Sequence, residues 1–162
     1  MTLFDNQFLT YFVPLAEQLG HPGYPALLAT SFAASTLLPL GSEWLLALML
    51  TQGYQPVATV GVATLGNTLG ACTTWLVGRY GSGWLLKRLF RISDQQRQQA
   101  EEWYQRYGAA SLLFSWLPVV GDPLCLVGGL LRINPLLFVA LVGIGKLARY
   151  ALVAWLTLRI TD

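Results

Sequence analysis

Charge is scarce in this chain. Of its 162 residues only 11% are Asp, Glu, Lys or Arg, while 54% are hydrophobic and the mean hydropathy is +0.51. A soluble domain carries about 25% charged residues, so the composition excludes an ordinary soluble globule and places the chain in a bilayer. The charges nearly cancel, with ten basic and eight acidic residues and a net charge of +2, which excludes the strongly basic face that nucleic acid requires. Histidine occurs once, as His21 in a Gly-Pro-rich turn, and the two cysteines, Cys72 and Cys125, lie alone in apolar segments. A structural metal site needs about four ligands, so neither a metal nor a cofactor is expected. There is no Ser-His pair either. Intramembrane aspartyl proteolysis would need only two carboxylates, but these must share a proton in a hydrated site, and their flanking sequence offers nothing else for it. The chain reads as a non-enzyme. The first residues lack a basic n-region and are interrupted by Asp5, Asn6 and Gln7, so they do not read as a cleaved signal peptide. No prenylation or myristoylation signal is present.

What the chain does have, it has twice. Leu38-Pro39-Leu40-Gly41-Ser42-Glu43 recurs as Leu117-Pro118-Val119-Val120-Gly121-Asp122, 79 positions later, and the same offset carries Pro56 onto Pro135 and Gly66 onto Gly145 without a gap. Each copy sets a helix-breaking proline and a carboxylate inside an apolar run. Paired interrupted segments in two related halves point to a transporter's binding site.

The spacing divides the chain as follows. Residues 1–23 hold a helix over 3–19 with one apolar face, lying in the interface or tilted into the bundle, closed by His21-Pro22-Gly23. Residues 24–81 form a first repeat: a re-entrant hairpin over 24–53, broken at Pro39 and Gly41, then a transmembrane helix over 56–78. Non-helical backbone survives at membrane depth only where protein or water satisfies it; the alternative is one long kinked helix. The helix over 56–78 is rich in small residues, with Gly66 and Gly70 at the spacing that lets helices approach closely. Residues 82–108 are an amphipathic connector. Six of the ten basic residues, from Arg79 to Arg106, fall in and around it, which makes it cytoplasmic by the positive-inside rule. Ser93 with Gln96 suggests a capping box, Ala100, Trp103, Tyr104 and Tyr107 share the anchoring face, and Gly108 closes the helix. Residues 109–162 repeat the first unit, with a hairpin over 109–132 broken at Pro118 and Gly121 and a transmembrane helix over 135–158. A hairpin adds no net crossing, so each half crosses once and the halves have opposite topology. The fold class is an all-α membrane protein built as an inverted repeat of re-entrant hairpin plus transmembrane helix.

Four ionisable residues sit in otherwise apolar segments: Glu43, Asp122, Lys146 and Arg149. Each costs roughly 2.5–3.5 kcal/mol at a helix centre. Their charges sum to zero, so they are expected to pair in part. Lys146 and Arg149 share a helix face at i, i+3, with Tyr150 beside them. The repeat offset places Asn67 where Lys146 falls and Gly70 where Arg149 falls, so the first crossing offers an amide and a gap where the second offers two cations. Lys146, Arg149, Tyr150 and Asn67 are the expected anion-binding residues, the arginine as a planar fork and the lysine as a point charge. Glu43 and Asp122 are the expected proton-coupling residues. The competing reading is a structural charge network locking the halves together.

These residues resemble the DedA family, also called the SNARE-associated or VTT-domain family, and in particular its short YqaA-like bacterial branch. The resemblance covers roughly residues 30–155 and rests on Leu38-Pro39 with Ser42-Glu43, Gly66-Asn67-x-Leu69-Gly70, Gly78-Arg79-Tyr80-Gly81, Tyr107-Gly108-Ala109 running into Ser115-Trp116-Leu117-Pro118-Val119-Val120-Gly121-Asp122, and Gly145-Lys146-x-x-Arg149-Tyr150. It implies a multi-pass protein of the bacterial cytoplasmic membrane with two opposed re-entrant hairpins, linked to moving or scrambling lipids, including a polyprenyl phosphate carrier, with proton coupling. The wider family is expected to carry arginines flanking the second hairpin's proline, where this chain has Ser115 and Gly121; it has Ala71 where many members have Asp and Trp75 where many have Tyr. Lys146 and Arg149 would then substitute for those arginines.

The function expected is a proton-linked translocase of a lipid or lipid phosphate. The partners are membrane lipids, anionic or phosphate-bearing, and protons, with no nucleic acid and a homo-oligomer left open. The alternatives are a proton-coupled exporter of small cationic solutes and a non-transporting membrane interaction protein.

Overall fold

The computed structural model describes residues 23–35, 42–80, 94–117 and 120–161. The expected helix over 3–19, the break residues Pro39, Gly41 and Pro118, the Ser93 cap and connector residues 82–93 lie outside them. Among the described residues the only regular elements are helices: α1 (Gly23–Ala34), α2 (Glu43–Thr51), α3 (Pro56–Tyr80), α4 (Asp94–Tyr107), a 3₁₀ helix (Gly108–Trp116), α5 (Gly121–Leu130) and α6 (Pro135–Thr161). The order short, short, long thus occurs twice, with α4 between. The first short element differs between halves: a run of α-helix in one, nine residues of 3₁₀ helix in the other. Helices α3 and α6, of 25 and 27 residues, are long and apolar enough to cross a membrane.

Both long helices begin on a proline of the repeat, whose fixed φ and missing N–H suit the first helical position. The Gln55 carbonyl accepts the Thr59 N–H and the Asn134 carbonyl accepts the Phe138 N–H, at 3.0 and 2.9 Å. Asn134 adds a side-chain cap, its Oδ1 accepting the Leu136 N–H at 2.9 Å.

The turns before those prolines share three hydrogen bonds. In the first, Gln52, Gly53 and Tyr54 donate to the carbonyls of Leu48, Leu50 and Met49; in the second, Leu131, Arg132 and Ile133 donate to those of Val127, Gly129 and Gly128. Every partner lies 79 positions from its counterpart. This is the Schellman closure, which needs one residue in the left-handed region. Gly53 supplies it with φ 86°, and Arg132 takes it with φ 54°. A side chain there costs roughly 1–2 kcal/mol. Arg132→Gly is therefore expected to raise stability by about 0.5–1 kcal/mol once the glycine's extra unfolded-state entropy is deducted. Gly53→Ala should lower it by a similar amount, both read from thermal unfolding in detergent.

Packing repeats as well. The first short element of each half lies on its own long helix, α1 on α3 and the 3₁₀ helix on α6; the second crosses over, α2 onto α6 and α5 onto α3. Glycines allow these approaches. A Cβ on Gly66 would stand 2.5 Å from the Leu28 carbonyl oxygen, and one on Gly145 would stand 2.6 Å from that of Leu113. Gly78 and Gly129 interlock α3 with α5, each facing the other helix's backbone at 2.2 Å or less from such an added carbon.

Two apolar clusters result. One joins Ala71 and Trp75 of α3 to Phe138 and Val142 of α6, with Leu112, Leu124 and Val127; the other joins Ala58 and Ala63 to Tyr150 and Ala154, with Leu27, Leu46 and Met49. The start of α3 therefore lies by the end of α6, so the long helices run antiparallel, with the residues between the clusters left for a polar layer.

Helix α4 is docked on the protein. Tyr104 is buried and donates to the Leu124 carbonyl of α5 at 3.0 Å, and Trp103 meets Phe114 edge-to-face. Burial pushes the Tyr104 phenol far above its ordinary range, so it stays a donor. The aromatic face expected to anchor in lipid is spent largely on the second half; Tyr107 is the member left exposed.

Candidate functional site

The polar layer lies where α3 and α6 cross. Asn67 and Lys146 are each the twelfth residue of their helix, because both helices start on the repeat prolines. Lys146 Nζ donates to Asn67 Oδ1, so a position touches its own counterpart 79 residues on. Such a contact occurs only at the axis relating the halves. Lys146 also donates to Ser35 Oγ at 3.0 Å and is 5% exposed. Both partners are neutral, and among the described residues no carboxylate pairs with it.

Asn67 Nδ2 donates onward to the Tyr150 hydroxyl at 2.6 Å, and Tyr150 shares a hydrogen bond with Ser42 Oγ. Since Tyr150 accepts from the amide, its own proton is free for Ser42. All five members of this chain, Ser35, Lys146, Asn67, Tyr150 and Ser42, are buried, so it is a satisfied network in which the losses from removing single members exceed simple addition.

One turn away, Arg149 reaches in two directions. Its NH2 pairs with the Glu43 carboxylate and its NH1 donates to the Trp116 carbonyl at 2.7 Å. Glu43 opens α2, beyond the first break, and Trp116 closes the 3₁₀ helix, before the second. The single cation thus ties the edges of both breaks together. Its side chain is 29% exposed and that of Glu43 is 21% exposed, so this pair is reachable where Lys146 is not.

Asp122 differs from Glu43 in its contacts. It is exposed at the start of α5 and forms no ion pair among the described residues. The repeat explains why. Arg149's counterpart is Gly70, where a Cβ would stand 2.6 Å from the Phe32 carbonyl oxygen and 2.7 Å from Ser35 Cβ. The backbone and side chain of residues 32–35 fill the space that a cation at position 70, the counterpart of Arg149, would need. The expected pairing of charges is therefore half realised, with Glu43 on Arg149 and with Lys146 on neutral oxygens.

Gly121 shows a similar exclusion. A Cβ there would lie 2.1 Å from the Ser115 carbonyl oxygen, so no arginine fits at this position in this conformation. The Ser115 hydroxyl is buried without a hydrogen-bond partner among the described residues. Among those residues, no three His, Cys, Asp or Glu side chains converge as a metal set would.

The structure thus brings Lys146, Arg149, Tyr150, Asn67 and Glu43 together. Sequence reasoning missed Ser35, Ser42 as a ligand of Tyr150, and the Trp116 carbonyl. For Asn67 with Lys146 the signal was present: equivalent positions midway along antiparallel helices must meet.

A family model described as the VTT domain matches residues 38–157. The chain is 41% identical over 137 residues to inner membrane protein YqaA of Escherichia coli strain K12, covering 83% of this chain and 90% of that protein, and equally so to YqaA of Shigella flexneri. A protein of Haemophilus influenzae is 35% identical over 136 residues, covering 79% and 83%. No solved structure matches. The chain belongs to the VTT-domain family, the DedA family of membrane proteins.

Proposed function

We propose that this VTT-domain protein is a multi-pass transporter of the bacterial cytoplasmic membrane that moves a lipid or lipid-phosphate headgroup between leaflets, linked to protons. The class of substrate is a phospholipid or polyprenyl phosphate. The observation that carries the reading is Lys146, a buried cation at the junction of the halves whose described hydrogen-bond partners are all neutral. Arg149, tied to the edges of both breaks, supplies the neighbouring positive fork. An anionic headgroup at the repeat interface would give Lys146 and Arg149 a phosphate oxygen to hold in place of neutral acceptors and Glu43. The antiparallel long helices and the crossed packing of the short ones support an inverted repeat with opposed re-entrant hairpins, the architecture that puts substrate near the midplane. The role is transport, not catalysis.

The test is flipping of a fluorescent phospholipid in reconstituted vesicles. Lys146→Met should abolish it while the protein stays folded; undiminished flipping would sink the headgroup role. A second reading, export of small cationic solutes, draws on the exposed Asp122, which forms no ion pair within 4 Å among the described residues. Under it Asp122→Asn would abolish uptake of a small organic cation into inverted vesicles and spare lipid flipping.

A further inference from the structure

The guanidinium that the lipid phosphate would use is already occupied. Arg149 holds Glu43 through NH2 and the Trp116 carbonyl through NH1. A carboxylate and a phosphodiester offer the same acceptor geometry to an arginine fork, so the two compete. We propose that Glu43 is a built-in competitor for Arg149: its carboxylate occupies the guanidinium in the empty protein, the phosphate of the lipid displaces it, and the displaced carboxylate takes up one proton. The proposal rests on the anion-binding reading above.

Three observations carry it. Both members of the pair are part exposed, so exchange needs no unfolding. Arg149 keeps Trp116 when Glu43 leaves, so the guanidinium stays aimed. The third is charge balance. Glu43 faces α6, which brings Arg149, Lys146 and the Tyr150 phenol; α1 adds only Tyr24, and α3 adds Cys72 and, at its far end, Arg79 and Tyr80 as titratable or charged groups. With Asp122 on α5, the two cations and two carboxylates cancel. A phosphodiester entering this apolar surrounding adds one negative charge, and a displaced carboxylate left without a cation there is neutralised by a proton. The proton comes from water and no covalent bond is made or broken. One proton thus accompanies each singly charged headgroup.

The probe is dihexanoylphosphatidylglycerol, a soluble phosphodiester whose single charge does not titrate near neutral pH. Its binding to the full-length protein in detergent is measured by calorimetry in two buffers of different ionisation enthalpy, which counts protons. Wild type should take up close to one proton per probe. Glu43→Gln should take up none and bind about tenfold tighter, the gain when a competent state held at roughly one part in ten becomes the only one. If this variant does not fold, Glu43→Asp should fall between, as a shorter and weaker competitor. Unchanged or weaker binding by a folded Glu43→Gln overturns the proposal, and so does proton uptake that persists there and vanishes in Asp122→Asn. Failure of the anion-binding reading looks different: wild type and Arg149→Gln would then bind the probe equally or not at all.

Discussion

Gly129→Ala is expected to cost about 3 kcal/mol or more, placing it at the severe end of core overpacking. The added methyl would stand 2.1 Å from the Trp75 carbonyl oxygen and 3.0 Å from the Arg79 nitrogen. Both are backbone atoms of α3, so no side chain can swing aside; α5 itself must move off. Its partner Gly78 is set against the Leu126 carbonyl in the same way, and the shift would pull at Leu124, where Tyr104 anchors α4. Gly143→Ala is the control, since nothing lies within 4 Å of its added carbon. There the substitution should be neutral or stabilise by up to about 1 kcal/mol from helix propensity. Denaturant unfolding of both variants in detergent gives the comparison. Equal effects would mean that α3 and α5 do not interlock as described.

The second large effect separates stability from activity. Lys146→Met keeps much of the side chain's volume and removes a buried charge. It lifts the cost of holding a charge in the buried layer, but it leaves Asn67 Oδ1 and Ser35 Oγ without their donor, at about 1–3 kcal/mol for each orphaned group. The two effects oppose each other, so the variant should unfold within about 1 kcal/mol of the parent while losing lipid flipping by two orders of magnitude or more, the scale on which a roughly 2.7 kcal/mol interaction counts. Asn67→Ala has no such offset and should lower stability. It leaves Lys146 and Tyr150 each short of a partner in the buried layer, at about 1–3 kcal/mol. If Lys146→Met destabilised as much as Asn67→Ala, the lysine would be internal glue.

Much of this was legible in the residues. Pro56 and Pro135 announced the starts of the long helices, and the 79-residue offset proved to hold in the turn hydrogen bonds as well as in the letters. Gly66 spoke for close helix approach, and α1 does lie on it. The rest depended on geometry that no period encodes. The 3₁₀ form of the second half's first arm is a matter of pitch, which apolar residues in a row do not report. Ser35 is one serine among several until α1 turns it toward Lys146. The Trp116 contact uses a main-chain oxygen, which every residue has. Asp122 differs from Glu43 in its contacts for a subtler reason: the repeat makes the two counterparts, and only the closeness of α1 over Gly70 shows that no cation fits at the position equivalent to Arg149.

The contact between Asn67 and Lys146 bears on how such a molecule can exist at all. Were the halves two copies of one shorter chain, an on-axis residue would meet itself. Two lysines so close would repel, and two asparagines would carry no charge. A positive charge on the axis therefore demands that the two positions mutate independently, which identical subunits cannot do. Joining both halves in a single polypeptide lifts that restriction, and a lone cation at the centre is what the joined chain carries.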